Sequence, residues 1–421
     1  MQADEGTVRS GLIRVLFLLA MVSSARLFAQ GSSQDEIIQK LLERVDALER
    51  EVAALQPAQT PSKTATALAP SASTSQPDDR SIGTTTNTAA APVDNASRFT
   101  FHGYADVGFL RNDDGGSDDK RFALGELDLF ATEQLSPRLT ALTEIVLETD
   151  NQTLVAQVPV NLERLLLQYR GNNYFNLDLG SYRTAVGFYN MAFLRGSWLQ
   201  TALSRPLLFT FEDDGGFLPL HNVGVSANGA LPSGGLGLHY IAEIGSSRNI
   251  GQNTVSPIDP ADNRAVNLAL YVRPRGLPGF QAGFSSYHDR FSKILGDYLD
   301  RSVWTAYAVY QGHRVEFLNE GALATFRNSA TSYGRIPAAY SQMGYRLLPS
   351  WTPYVRYEYA NANGRDVQNL PQLLTPWRQV WLGGVRYDIT EFAALKFELG
   401  HETSWLQPAW IRAAVQLAFT F

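Results

Sequence analysis

The last stretch of the chain alternates. From Ile411 onward one parity reads Ile411, Ala413, Val415, Leu417, Phe419, Phe421, and the other reads Arg412, Ala414, Gln416, Ala418, Thr420. A period of two puts apolar side chains on one face of a strand and small or polar ones on the other. About 11 such residues suffice for a tilted strand to cross a bilayer. Comparable stretches recur from Phe99 and predict sixteen strands. They start at Phe99, Arg121, Arg138, Asn161, Tyr174, Pro219, Gly235, Ala261, Gly279, Ser302, His313, Ser332, Thr352, Thr375, Phe392 and Pro408.

The connections alternate in length. Short ones such as Ser136-Pro137, Gln311-Gly312 and Leu348-Pro349-Ser350 are followed by long ones over 111–120, 151–160, 182–218, 245–260, 288–301 and 361–374. Short turns on one rim and long loops on the other predict an all-β, closed, 16-stranded antiparallel transmembrane barrel. Both barrel ends lie on the short-turn side, so the strand number is even. Aromatic residues crowd the boundaries: Phe99, Tyr169, Phe175, Tyr345, Trp351, Tyr387 and Phe392 near short turns, Trp377 and Trp405 near long loops. Such rings favour the lipid–water interface.

The pattern before Phe99 is different. Arg9 and Arg14 precede the apolar run Val15 to Val22, and Leu27-Phe28-Ala29 offers a cleavage site, so residues 1–29 read as an export signal. Residues 30–56 carry a heptad seam of Ile38, Leu41, Val45, Leu48, Val52 and Leu55. Arg44 and Glu49 form a g–e pair there, and Ile37 and Leu42 widen the stripe in the direction of a trimer. Residues 57–97 are rich in Ala, Ser, Thr, Pro and Gln and read as a flexible tether with a reach of about 35 Å. The barrel occupies 98–421.

Composition narrows the function. Net charge is −6, which argues against nucleic acid as a partner. The chain has no cysteine and hence no disulfides. Mean hydropathy is −0.16, too low for a helical membrane protein but compatible with a barrel whose alternate residues face water. The six histidines, at 102, 221, 239, 288, 313 and 401, show no metal-ligand spacing, and no Gly-x-Ser-x-Gly or phosphate-cradling glycine loop occurs. No enzyme, cofactor or metal is expected. A scattered triad, as in an outer-membrane lipase, is the enzyme alternative. The cluster Asp113, Asp114, Asp118, Asp119 lacks a calcium-loop signature and reads as a solvated loop.

The stretches Arg121 to Phe130 followed by Leu135-Ser136-Pro137-Arg138, and Asn176 to Gly180 followed by Tyr182 to Gly187, resemble hairpins of Gram-negative trimeric porins. The final strand, with Phe419 and the terminal Phe421, resembles the closing strand of bacterial outer-membrane barrels. The coil before the barrel is similar to the phosphate-selective porin group. Those members line their pores densely with Arg and Lys, whereas Lys occurs in this barrel only at 120, 293 and 396. The resemblance implies an outer-membrane homotrimer with a loop folded into the pore. It also implies a periplasmic coil and recognition of the last strand by the barrel assembly machinery.

Parity assigns the pore lining of a water-filled sixteen-stranded barrel. Asp106, Glu126, Asp128, Glu144, Glu148 and Asp178 face inward as an acidic wall. Arg356, Arg378, Arg386, Lys396 and Arg412 form a basic wall, with Glu398 sharing the parity of Lys396. The two walls either set a transverse field or pair with each other. The longest loop, with Arg183, Arg195, Arg205, Glu212, Asp213 and Asp214, is expected to fold inward and narrow the pore, with helical character over 188–204. The expected activity is passive diffusion of small hydrophilic solutes or ions. The alternative is a structural protein that tethers the envelope through its coil.

Overall fold

The computed structural model describes residues 98–113, 118–148, 160–212, 215–247, 264–292, 298–328, 333–361, 377–404 and 408–421. The export signal, coil and tether lie outside the described residues, as do Asp213, Asp214 and the side chains of the 111–121 segment.

Sixteen strands close into one antiparallel barrel in chain order. The first half holds β1 (Phe99–Asp113), β2 (Asp118–Ser136), β3 (Leu139–Glu148), β4 (Val160–Asn172), β5 (Phe175–Arg183), β6 (His221–Ala230), β7 (Leu238–Ser247) and β8 (Ala265–Val272). The second holds β9 (Phe280–Ser292), β10 (Tyr298–Gln311), β11 (Val315–Asn328), β12 (Tyr333–Tyr345), β13 (Trp351–Asn361), β14 (Trp377–Asp388), β15 (Ala393–Ser404) and β16 (Trp410–Thr420). Closure joins β1 to β16, with Tyr104 opposite Thr420 and Asp113 opposite Ile411. Phe421 extends the seam: its N–H donates to Gly103 O at 3.1 Å, and Gly103 N–H donates to Phe421 O at 3.0 Å. Closure satisfies the two edges that an open sheet would leave unpaired.

The two-residue period survives in the burial. On β8, Val266, Leu268 and Leu270 are exposed outside, while Ala265, Asn267, Ala269 and Tyr271 are buried inside. Phe99, Tyr169, Phe175, Tyr345, Trp351 and Phe392 form an exposed aromatic belt near the short turns.

Three differences from the sequence reading have physical causes. Strand β2 begins at Asp118, and β9 and β10 run to Ser292 and from Tyr298, so the supposed loops over 111–120 and 288–301 are mostly strand. In β9 and β10 the polar residues still alternate, Asp289 and Arg301 inward and Arg290 and Asp300 outward, which a ladder accepts. Among the described residues of the long loop, only Phe188–Ala192 is α-helix (α1). Beyond it the carbonyls of Ser197, Gln200 and Ala202 are held by a wall lysine instead of by N–H groups one turn on. Finally, the lumen side of β10–β12 is apolar rather than wet, because the loop packs on it.

Candidate functional site

The described residues of the connection between β5 and β6, 184–212 and 215–220, fold into the barrel. Its own apolar residues explain why. Val186, Phe188, Phe193, Leu194, Leu208, Phe209, Phe217 and Leu218 bury against Val303, Leu318, Ala324, Phe326, Ile336 and Ala338 on the inner face of β10–β12. Burying each large side chain contributes about 1.5–3 kcal/mol. Outside, the loop would expose this surface to water.

Carboxylates fix the loop's first turn. Glu320 accepts from the N–H groups of Phe188 and Tyr189 at 2.5 and 2.9 Å, at the start of α1, and from the Tyr340 hydroxyl at 2.5 Å. Glu243 accepts from Ala185 N–H at 3.1 Å and Asn267 Nδ2 at 2.7 Å. Gly187 makes the approach possible. Its φ is +106°, and a Cβ there would stand 2.7 Å from Glu320 Oε2 and 2.8 Å from Phe209 Cζ. Tyr189 donates to Gln200 Oε1 at 2.6 Å, and burial pushes its hydroxyl up to about 12, so it stays a neutral donor.

The acidic wall meets the loop through side chains. Arg195 bonds Glu126 Oε1 at 3.1 Å through Nη1 and Glu163 Oε1 at 3.1 Å through Nε, and it also pairs with Glu148. Arg205 stands 3.9 Å from Glu126. Both guanidiniums lie on Phe211, 3.9 and 3.4 Å from its ring centroid. Arg183, at the end of β5, donates to Glu144 at 2.6 Å, and Arg164 pairs with the other oxygen of Glu144. Asp128 is buried beside Glu144, Arg164 and Arg183. Asp106 accepts from Gln416 Nε2 at 2.9 Å, next to β16. Asp178 stands apart from this cluster, paired with Arg170 at 2.7 Å. Glu212 faces Arg301 at 3.6 Å, and Arg301 is clamped to Asp289 at 2.6 Å.

The basic wall meets the loop through its backbone. Lys396 donates to the carbonyls of Gln200 and Ala202 at 2.8 and 3.0 Å, and to that of Ser197. Arg386 donates to Trp198 O at 2.6 Å and Gln200 O at 3.1 Å. Arg356 donates to Ser204 O at 2.9 Å. In return Glu398 accepts from Ser204 N–H at 3.3 Å, and Glu358 from Leu207 N–H. Lys396, Arg356 and Glu398 are therefore buried beneath the loop instead of lining open water. Arg378 pairs with Glu402, and Arg412 with Glu398 at 2.9 Å, within their own wall. Glu126 and Glu148 of the acidic set and Arg378 and Arg412 of the basic set keep side-chain exposure of 26–30 %.

The parity argument did not reach Glu163, Glu243, Glu320 and Glu358. Glu163 lies where the β3–β4 register shifts, so simple alternation misplaces it. The other three are isolated acids of inward parity, legible as lumen residues but not as partners of a backbone. The dry patch had a signal: β11 is apolar on both parities (Phe317, Leu318, Ala322, Leu323, Ala324, Phe326), as in strands buried on both faces.

A closed sixteen-stranded antiparallel barrel with one long connection folded inward has the fold of the outer-membrane porins. Solved structures agree. The chain is similar to the anion-selective porin from Comamonas acidovorans (TM-score 0.56, 13% identity, 77% of this chain and 99% of that one). It is also similar to the outer membrane channel DcaP of Acinetobacter baumannii (TM-score 0.54, 11% identity, 77% and 97%). A third is OmpT, an outer membrane protein of Vibrio cholerae, in its trimer form (TM-score 0.51, 12% identity, 77% and 99%). No family model and no curated protein matches the sequence.

Proposed function

We propose that the chain is an outer-membrane channel for passive diffusion of small hydrophilic solutes or ions, assembled as a homotrimer. The observation that carries this reading is the loop strapped inside the lumen, held by acidic residues of β2–β4 and basic residues of β13–β15, with Glu126, Glu148, Arg378 and Arg412 still part-exposed on these strands, which flank the closure seam. Charges of both signs lining a lumen bias which solutes pass. In this reading Arg195 and Arg205 tune the constriction by neutralising the acidic side. The short turns face the periplasm, where the coil of residues 30–56 also lies, and the Phe419–Phe421 end is read by the assembly machinery. The coil supports the finer likeness to the phosphate-selective group.

Planar-bilayer recording tests the proposal. Wild-type protein is expected to give discrete channels, and R195A/R205A to change single-channel conductance or shift the reversal potential under a salt gradient towards cations. Identical traces would remove the constriction role. Absence of channels, with no swelling of liposomes in small sugars, would remove the channel and leave the envelope tether. Chemical cross-linking in detergent reads the trimer.

A further inference from the structure

The ring of Phe211, in the second half of the loop, carries two guanidiniums. Arg195 Cζ lies 3.9 Å from its centroid and Arg205 Cζ 3.4 Å. Two planar cations cannot share one face of a phenyl ring at these distances, because their carbons would then approach more closely than van der Waals contact allows. They therefore lie on opposite faces, and the ring stands between them. Both stack more closely than Arg386 on Trp198, at 4.7 Å, or Arg164 on Phe130, at 5.6 Å.

The two cations are not equivalent. Arg195 is buried and directs its N–H groups at Glu126, Glu148 and Glu163. Arg205 keeps a side-chain exposure of 20 % and stops 3.9 Å short of the Glu126 oxygen that Arg195 Nη1 holds at 3.1 Å. Its Nη1 makes no hydrogen bond among the described residues. A guanidinium beside a carboxylate ordinarily closes such a gap, since a charge-assisted bond is roughly twice as strong as a neutral one. Here the negative face of the ring offsets that pull.

The ring cannot follow the arginines. A 3₁₀ turn, Leu207–Phe209, ends just before it, and Thr210 Oγ1 donates to Leu207 O at 2.9 Å. Gly216 N–H donates to Phe211 O at 2.7 Å, and a Cβ on Gly216 would collide with Thr210 O. The next residue, Glu212, faces Arg301 on β10. Phe211 itself packs against the apolar cluster that the loop shares with β10–β12. The phenyl is thus anchored towards β10–β12, whereas the carboxylates that draw on its cations belong to β2–β4. We propose that Phe211 is a positioning residue for ion selection. Its ring parts Arg195, which neutralises the acids of β2–β4 directly, from Arg205, which it holds back and keeps available to small anions in the lumen. The inference deepens the channel reading and rests on it.

The test places the full-length protein in planar bilayers and reads the cation-to-anion permeability ratio from reversal potentials under a KCl gradient. F211L keeps an apolar side chain but has no π face. It is expected to raise the ratio about twofold or more, with Arg205 drawn onto Glu126. F211Y keeps the face and should keep the wild-type ratio. Pentafluorophenylalanine incorporated at position 211 preserves the shape of the ring and reverses its charge distribution. It should act as F211L does, and it carries the test should the leucine variant fail to fold by circular dichroism. On the R195A/R205A background F211L should shift the ratio no further, because a ring with no cations to part has no role in selection. An unchanged ratio in the F211L and fluorinated proteins overturns the proposal. So does an equal shift on the R195A/R205A background, which would make the ring a spacer of the pore and not of its charges. Absence of channels from every protein would remove the channel reading, and the inference with it.

Discussion

The two charged walls of the lumen hold the same loop by opposite means. The β2–β4 side grips side chains: Arg195 reaches three carboxylates at once. The β13–β15 side grips the main chain: Lys396, Arg386 and Arg356 collect carbonyls from Ser197 to Ser204. On the first side the loop's sequence matters residue by residue. On the second, its path matters most, and its side chains enter mainly at Ser204, whose Oγ accepts from Arg356 at 2.7 Å, and Trp198, whose ring lies 4.7 Å from the Arg386 guanidinium. Charge pairing can be reassigned by mutation, whereas carbonyl capture fixes where the backbone runs.

The comparison can be broken most severely from the basic side. Lys396→Met leaves the carbonyls of Ser197 and Ala202 without that buried donor, a cost on the order of 3–6 kcal/mol. The loop is expected to detach and single-channel conductance to rise severalfold. A conductance like wild type would show that carbonyl capture does not hold the loop in place. On the acidic side, Arg195→Ala strips Glu126, Glu148 and Glu163 of a shared cation. About 3–5 kcal/mol should be lost, read by denaturant unfolding, and the reversal potential should move towards cation preference. Gly187→Ala touches the anchor common to both halves. Its positive φ and the crowding against Glu320 predict a loss of about 1–3 kcal/mol, seen as a lower thermal midpoint with ion preference intact. The smallest effect is expected at Arg170→Gln. Its pair with Asp178 is part-exposed and remote from the loop, so stability should change by under about 1 kcal/mol and conductance not at all. A selectivity shift there would extend the acidic wall to Asp178.

Legibility in the sequence divides along the same line. Strand alternation from Phe99 to Phe421, the even strand number and the inward parity of Glu126, Glu144, Arg356 and Lys396 were all readable, because lipid on one side and lumen on the other impose a period of two. The inward loop was anticipated from its length and arginines. Its anchoring was not, since a carbonyl has no letter in the sequence, and Lys396 reads the same whether it faces water or Gln200 O. The sequence pattern overstates the length of the helix for that reason. Glu163 was missed because the register shift after Glu144 displaces it from simple counting.

The loop's attachments also order events in time. Phe188 and Tyr189 wait for Glu320, about 130 residues further along, and the turn at Ser197 waits for Lys396, nearly 200 residues away. Such distant partners are costly to bring together early. The segment leaving β5 meets its acidic partners on β2–β4 at once, its apolar bed only with β10–β12, and its last carbonyl anchor only with the penultimate strand, so the narrowing of the barrel is finished as the barrel itself nears completion.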